Sequence, residues 1–470
     1  MAGNVTSLFR DGAGAGPVDF RVPGNPYFPT PGMFDELAAR LREIVTSGPS
    51  DTDTVTAGLS TLLRLPEQCV ATGNGTSELI AWIDHVLVRE SLAVPVPTSG
   101  RWTGRPTVTG KRVDMFPLQE ADGFALDLDR YAGFLRARGS RTAVVCNPNN
   151  PDGGHLRRER LVRFLDAMAD LDLVVVDESY VEFADAEPEP SVVREAVLRP
   201  NVIVLRGLGP PGVRLGCLVA NPALAGRVRS MLPKWNLGSL AGHVVSMLRD
   251  HGPAYERSLD QIREDRRDMA ARLAALPGLT VYPSQAGFLF VRLPVGAEGT
   301  VVRDRLLTGH RILVRDCGDK IGSSSRFLRL AVRPQADVRR LVPALEQVLY
   351  DSAPAGGSGY SSGTATIDRL IGETSGAGLR LTGPGSAGTA PRPAAPVPAP
   401  AVGTGIPLPA AVPPMPVAPP VPAAPWAPAA STPPGVPARG GLTAAQVRGT
   451  VRPAEPLPRK EDRPWQSTGT

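Results

Sequence analysis

Three side chains that could hold an aromatic ligand follow two apolar runs of the sequence. Asp177 and Tyr180 come directly after the valine-rich run at 173–176, and Asn150 lies in the turn-rich loop after the run at 142–146. A carboxylate can keep a pyridine nitrogen protonated, while an amide and a phenol can hydrogen-bond a ring hydroxyl. These residue types therefore suit a hydroxylated pyridine ring.

The two runs that precede these side chains predict buried strands. Short valine-rich runs between polar residues are typical of strands that are covered on both faces of a parallel sheet. Helical periodicity from 156 to 171 supplies the crossover helix between them. Because α/β sheets bind ligands at the carboxyl ends of their strands, we expect Asn150, Asp177 and Tyr180 to lie at one edge.

The segments NPNNPDG at 147–153 and VVVDESYVEF at 174–183 resemble the core motifs of a known family. The family is the fold-type I pyridoxal-phosphate-dependent aminotransferases of class I and II, and histidinol-phosphate aminotransferases and threonine-phosphate decarboxylases are the nearest branches. The resemblance spans residues 19–350. It implies a large α/β domain with a mostly parallel sheet, a smaller α+β domain and a homodimer. It also implies pyridoxal 5′-phosphate as cofactor and an amino acid or phosphorylated amino acid as substrate.

Further residues are expected to bind this cofactor. Glycines and hydroxyls at the strand-to-helix junction 73–78 would expose backbone N–H groups to a phosphate, so we assign Gly75, Thr76 and Ser77 to it. Helix capping alone would explain the hydroxyls but not the paired glycines. The resemblance places Trp102 against the ring face and Arg214 on the phosphate, a bidentate role that suits a guanidinium.

The resemblance also implies substrate-binding residues. Arg329, in the strand-like run 327–332, would grip the substrate α-carboxylate with its planar fork. Asn25 and Tyr27 match an N-terminal arm that crosses to the substrate site. A surface arm that packs one tyrosine is the alternative for this short match.

The lysine that forms the Schiff base in the family has no counterpart here. The family carries it between the strand at 201–206 and the Arg214 segment, where this chain has only Gly-Leu-Gly-Pro at 207–210. Without that amine the chain would lack both a covalent attachment point and a base at the α-carbon. Lys234 is the candidate substitute, although an exposed lysine beside a packed tryptophan is favoured. Lys111, Lys320 and Lys460 are expected to lie in a turn, a small-domain loop and the tail.

Two functions remain open from the sequence. The first is an enzyme that uses pyridoxal phosphate on an amino acid or phosphorylated amino acid. The second is a catalytically inactive pseudoenzyme that binds the cofactor, an amine adduct or a protein partner. The retained pocket favours a bound ligand, whereas the deletion disfavours turnover.

Composition divides the chain near residue 350. We expect an N-terminal arm with part of the small domain at 1–47, a large cofactor-binding domain at 48–245 and a small domain at 246–350. Residues 351–470 are rich in Pro, Ala and Gly. Such a composition cannot bury enough apolar surface to offset chain entropy, so this tail is predicted to be disordered and could bind a protein partner.

Charge and cysteine usage limit the remaining classes. A net charge of +5 over 470 residues, without a basic block, argues against a nucleic-acid partner. No apolar run reaches membrane-spanning length, and the N-terminus lacks the pattern of a signal peptide. The four cysteines lack metal-ligand spacing, so we expect no metal site, free buried thiols and a cytoplasmic location.

Overall fold

A computed structural model describes residues 16–46, 48 and 50–351 of the chain. Every described residue belongs to one compact unit. Residues 1–15 of the predicted arm and the predicted tail from 352 onward lie outside the described residues. The disorder of that tail and its binding to a partner therefore stay predictions, as do the predicted domain boundaries.

Strands and helices alternate through most of the described chain. The strands are β1 (Val18–Asp19), β2 (Val70–Asn74), β3 (Ser91–Val96), β4 (Arg112–Pro117), β5 (Thr142–Cys146), β6 (Leu173–Glu178), β7 (Val202–Leu208), β8 (Leu215–Val219), β9 (Thr280–Val281), β10 (Phe288–Arg292), β11 (Ile312–Leu313), β12 (Arg315–Asp316) and β13 (Phe327–Ala331). The helices are α1 (Pro31–Ala39), α2 (Leu41–Thr46), α3 (Thr52–Leu63), α4 (Gly75–Val86), α5 (Gly100–Val108), α6 (Leu128–Arg138), α7 (Arg158–Ala167), α8 (Val193–Leu198), α9 (Pro222–Arg229), α10 (Leu240–Asp250), α11 (Gly252–Ala274), α12 (Gly299–His310) and α13 (Gln335–Tyr350).

Seven strands form one mixed sheet in the order β2-β8-β7-β6-β5-β3-β4. The strands from β7 to β4 run parallel, and β8 and β2 are antiparallel to their neighbours. All six residues of β6 are buried, as expected for a central strand covered by helices on both faces. The predicted mostly parallel sheet is confirmed.

The register of the central strands brings their carboxyl ends together. Cys146 at the end of β5 pairs with Asp177 in β6, and Glu178 pairs with Arg206 in β7. The loops that follow β5, β6 and β7 therefore leave the sheet at the same edge. This confirms the expected placement of the segments that carry Asn150 and Tyr180.

A second, four-stranded antiparallel sheet has the order β12-β13-β10-β9. Its apolar face packs with α11, α12 and α13 in a separate core, which includes Met269, Leu306, Leu328 and Leu341. The short strand β1 pairs with β11 beside this sheet. The structure thus contains the α+β portion that the sequence predicts after the large sheet.

Two predicted helices are each interrupted. The periodic segment 32–46 forms α1 and α2, which separate at Arg40, and the segment 241–276 forms α10 and α11. The second break has a clear cause, because Pro253 lies at the start of α11 and proline cannot donate the backbone hydrogen bond that would continue α10. No described helix has the length and hydrophobicity that a membrane crossing requires.

Candidate functional site

A cavity of about 210 Å³ opens at the carboxyl edge of the large sheet. The loop after β6, the first turn of α4, the β7–β8 connection and the N-terminal arm form its wall. Of the predicted site residues, Gly75, Thr76, Ser77, Tyr180, Arg214 and Asn25 line it. The structure therefore brings together side chains from positions 25 to 214.

The first turn of α4 and Arg214 form the part of the cavity best suited to a phosphate. Gly75 adopts a left-handed conformation (φ +71°), which glycine tolerates without strain. A Cβ atom on Gly216 would lie 2.8 Å from the backbone nitrogen of Thr76, so only glycine lets β8 pass this close to the helix start. The N–H groups of this turn lack intrahelical acceptors, and the Arg214 guanidinium lies on the same wall. This arrangement favours an anion.

Asp177 is buried and is held by three hydrogen bonds. Trp102 donates its indole N–H to Oδ2 at 2.9 Å, while the Ser179 amide donates to Oδ1 at 3.1 Å and the Ser179 hydroxyl to the same oxygen. Trp102 is fully buried, so no face of its ring is open to a cofactor. The structure thus differs from the predicted stacking, because the buried carboxylate recruits the indole edge as a donor.

Arg329 contacts Asn150 and acts electrostatically on Tyr180. Its Nη1 donates to Asn150 Oδ1 at 2.9 Å and its Nη2 to the Arg21 carbonyl at 2.6 Å, whereas the buried Nε has no partner. The rings of Tyr180 and Phe288 meet edge to face with centroids 5.1 Å apart, and the guanidinium lies 5.1 Å from the Phe288 centroid. Burial raises the pKa of Tyr180, and the positive charges of Arg329 and Arg101 partly offset this increase.

The N-terminal arm places only one of its two predicted substrate residues at the cavity. Asn25 lines the wall and donates to Ser258 Oγ at 2.7 Å. Tyr27 is not part of the wall and donates its hydroxyl to Asp265 of α11. Burial and this hydrogen bond raise the pKa of Tyr27. Its predicted substrate role is not what the structure shows, because the buried Asp265 carboxylate requires a donor.

The β7–β8 connection contributes no amine to the cavity. Gly209 and Pro210 line it in the segment where the sequence predicts the loss of the family lysine, and no lysine occurs on the cavity wall in the described part of the chain. A Cβ atom on Gly24 would lie 2.6 Å from Pro211 Cγ, so the N-terminal arm rests directly on this short connection. The arm and the connection are therefore in direct contact at Pro211.

The other described lysines lie outside this cavity. Lys234 is exposed and lines a separate cleft with Asp53 and Thr72, and its neighbour Trp235 is 70% exposed instead of packed as the sequence suggested. Lys111 forms an ion pair of 3.1 Å with the buried Asp84. Lys320 extends from the loop after β12 and donates to the Thr98 carbonyl at 2.8 Å.

Sequence patterns did not reveal several residues of the site. Arg101 and Tyr180 line the cavity, as do Glu182 and Tyr255. The Tyr255 hydroxyl donates a hydrogen bond to the Glu182 carboxylate. Glu182 also pairs with Arg206 at 3.3 Å. Arg101 and Arg206 both stand at or just after the ends of apolar runs, which is the signal that could have identified them.

Comparison with known proteins places the chain in a family. The profile of the family described as aminotransferase class I and II matches residues 42–345. The chain belongs to this family. Its members depend on pyridoxal phosphate, and the resemblance predicted from the motifs is confirmed, since both a threonine-phosphate decarboxylase and histidinol-phosphate aminotransferases are among its similar proteins.

Three relatives illustrate the range of similarity. The CMP-5′-(3-aminopropyl)phosphonate synthase of Streptomyces rubellomurinus is 31% identical over 74% of this chain and 56% of its own length. The threonine-phosphate decarboxylase of Salmonella typhimurium is 29% identical over 62% of this chain and 80% of its own. The structure of a decarboxylase from Sulfurospirillum multivorans has a TM-score of 0.65 at 26% identity, covering 72% of this chain and 89% of that one.

Some relatives are considerably longer than the matched region. The chain spans 53% of an uncharacterised protein from Sinorhizobium fredii and 56% of the phosphonate synthase, about half of each. The activities of those whole proteins therefore do not transfer directly to this chain.

Proposed function

We propose that this protein binds pyridoxal 5′-phosphate without a covalent lysine link and holds an amino-acid-like ligand beside it. In this proposal it is a member of the aminotransferase family that binds but does not turn over amino acids. The single observation that carries the proposal is the cavity wall, which keeps an anion site and Tyr180 but has no lysine among its described residues.

The residues present fit the cofactor at its phosphate and ring. The α4 N–H groups and Arg214 would bind the phosphate, and the absence of a side chain at Gly216 lets β8 pack close to the start of that helix. Asp177 would hold a proton on the ring nitrogen, and Tyr180 and Asn150 would orient the ring through its hydroxyl. When bound, the group supplies an electron-withdrawing ring that can stabilise negative charge on an attached carbon.

Arg329 supports an amino-acid ligand. Arg329 is 9% exposed, and its guanidinium hydrogen-bonds only neutral oxygens, with Nε unpartnered. Burial lowers the pKa of Arg329, and the charges of Arg315 and Arg101 act in the same direction. A buried guanidinium without a carboxylate partner is costly, so a ligand carboxylate would compensate it.

The missing amine opposes turnover. Moving a proton to or from the α-carbon requires a base in the cavity, and the β7–β8 connection presents glycine and proline there. Removing a group that acts as both nucleophile and base costs on the order of a million-fold in a comparable catalytic unit. Binding is therefore the function that these residues support best.

Equilibrium dialysis of protein stripped of small molecules tests the cofactor proposal. We expect retention of pyridoxal 5′-phosphate, an affinity at least ten-fold lower in Arg214→Ala, and wild-type affinity in Arg227→Ala, which changes an exposed arginine outside the cavity. Borohydride reduction should label no lysine. Absence of retention, or equal retention in Arg214→Ala, would contradict the proposal, and a labelled lysine with turnover would restore the enzyme.

We extend the proposal to a homodimer. Leu41, Val45 and Trp235 are 54%, 71% and 70% exposed, and isolated soluble chains rarely group such side chains. Ser50, shortly after α2, donates to the Gly238 carbonyl at 3.0 Å, so the chain after α2 contacts the chain shortly after Trp235. Sedimentation at micromolar concentration should show a dimer, and Val45→Glu should shift it toward monomer. A monomeric wild type would contradict this extension.

A further inference from the structure

Glu182 is the one acidic side chain on the wall of the cavity among the residues that the structure describes. The same wall carries the two cations Arg101 and Arg214. Glu182 lies in the short turn that follows β6, and 17% of its side chain is exposed. The cavity therefore offers a ligand a single, accessible carboxylate.

Two hydrogen bonds hold this carboxylate in place. The Tyr255 hydroxyl donates to Oε2, and Nη2 of Arg206 donates to Oε1 at 3.3 Å. Burial and the negative charge of Glu182 raise the pKa of Tyr255, so this phenol remains a donor. An ionised carboxylate has about four acceptor sites. Glu182 can therefore accept further hydrogen bonds from a ligand.

The charges behind Glu182 are unbalanced. Arg206 lies 3.9 Å from the buried Glu178 and 3.3 Å from Glu182, so one guanidinium serves two carboxylates. Burial raises the pKa of Glu178 to about 7, although the charge of Arg206 lowers it, and the charge of Glu195 in α8 raises it further. A cation at Glu182 would compensate this excess of negative charge.

The turn that carries Glu182 packs against the end of β7. A Cβ atom on Gly207 would lie 3.1 Å from the Ser179 carbonyl oxygen, and Arg206, the partner of Glu182, directly precedes Gly207. The chain then enters the short β7–β8 connection, from which the sequence predicts the loss of the family lysine. The described wall thus brings no ammonium group of its own to Glu182.

Two aromatic rings belong to the same wall. Phe28 and Tyr255 both line the cavity, and their rings meet edge to face with centroids 4.9 Å apart. Aromatic faces attract cations, most strongly where water is excluded. A carboxylate together with aromatic rings suits a protonated amine, which carries a positive charge and several N–H donors.

We propose that Glu182 binds the ammonium group of the ligand while that ammonium remains free. The ligand amine takes the place of the lysine amine that the cavity lacks, and Tyr255 and Arg206 fix the carboxylate that receives it. The inference rests on the proposed function, since it places the amine beside the retained cofactor. It makes the protonated amine, and not a nitrogen condensed with the cofactor, the group by which the protein selects its ligand.

Titration calorimetry on the full chain compares L-alanine with propionate, which lacks only the ammonium group. The protein is first loaded with 4-deoxypyridoxine 5′-phosphate, a cofactor analogue without the aldehyde, so no covalent bond to the amine can form. We expect wild type at pH 8 to bind L-alanine about ten-fold more tightly than propionate, or better. Glu182→Gln should remove that preference, and Glu182→Asp should keep part of it. Glu189→Gln, which changes an exposed acid outside the cavity, should behave as wild type.

Three results would overturn the inference. The first is equal binding of L-alanine and propionate by wild type, and the second is an undiminished preference in Glu182→Gln. The third is an L-alanine affinity that is the same with and without the analogue, because it would place the ammonium in the wider cleft of about 770 Å³ that Glu182 also borders. If thermal unfolding shows that Glu182→Gln does not fold, the two wild-type measurements still decide.

Dialysis measures retention of the analogue separately from these titrations. Intact retention with no preference for L-alanine refutes only the role of Glu182. Lost retention refutes the proposed cofactor function, and the same titrations on stripped protein then decide the role of Glu182.

Discussion

The hydrogen bond between Trp102 and Asp177 predicts a measurable coupling energy. The indole N–H lies 2.9 Å from Oδ2 of a buried carboxylate, and both side chains are buried. A hydrogen bond to a charged group contributes roughly 1.5–3 kcal/mol. Replacing Trp102 by Phe would also leave a cavity of roughly 40 Å³, which costs about 1 kcal/mol. We therefore expect Trp102→Phe to lower the free energy of unfolding by about 2.5–4 kcal/mol.

A double-mutant cycle separates the hydrogen bond from the cavity. Asp177→Leu removes the acceptor, so the loss in Trp102→Phe/Asp177→Leu should be smaller than the sum of the single losses by about 1.5–3 kcal/mol. Urea unfolding followed by far-ultraviolet circular dichroism at pH 7 measures each free energy. Trp82→Phe is the matched control, because Trp82 packs in the same apolar core without a contact to Asp177.

The coupling energy of Trp102 with Asp177 is compared with that of the control residue Trp82. Trp82→Phe should show a coupling to Asp177→Leu below about 0.5 kcal/mol, as for independent sites. A coupling of that small size for Trp102 as well would refute the view that the indole holds the carboxylate. Such a result would favour the stacking role that the sequence predicts for Trp102.

Three further predictions concern stability, the C-terminal tail and the predicted deletion after Gly209. Burial raises the pKa of Glu178 from 4.5 to about 7, so its stabilising contribution is present below pH 4.5 and is lost as the pH rises through 7. The free energy of unfolding of wild type should fall by about 3 kcal/mol over this range, and that of Glu178→Gln should not. Urea unfolding that gives the same pH dependence for both proteins would contradict this prediction. Removing residues 352–470 should leave the melting temperature unchanged because their composition cannot support a core, and loss of cooperative melting in the truncated chain would be the opposite result. Inserting a four-residue segment that contains lysine after Gly209 should attach pyridoxal phosphate covalently to that lysine, as read by mass spectrometry after borohydride reduction. A folded insertion that retains cofactor without attachment would show that the pocket has diverged beyond the deletion.

The sequence predicted the parts of the site that depend on chain order. Asp177, Tyr180 and the glycine-containing turn at residue 75 follow buried strands, and neighbouring strands in one sheet deliver such loops to one edge. Local pattern does not determine which way a side chain turns, so Trp102 was assigned a ring face although its edge serves Asp177.

Contacts distant in sequence account for the remaining differences. Tyr27 bonds Asp265 across 238 positions, and Lys320 bonds Thr98 across 222 positions. No periodicity or motif within a single element reports either contact. Both depend on how the second sheet and α11 pack against the large sheet, which is decided by tertiary structure.

The contact of Arg329 with the Arg21 carbonyl has a consequence for the order in which ligands enter and leave. The arm that passes through Arg21 continues to Gly24 and Asn25, which cover the cavity, and the arm is also held by the hydrogen bond from the Ala331 amide to the Phe20 carbonyl at 2.7 Å. A carboxylate that engages Arg329 competes with the carbonyl that tethers this cover. We therefore expect an amino acid to speed the escape of bound pyridoxal phosphate in stopped-flow displacement, and Arg329→Gln to make that rate independent of the amino acid. If an amino acid speeds the escape of pyridoxal phosphate equally in wild type and Arg329→Gln, the opening of the arm does not depend on a carboxylate at Arg329.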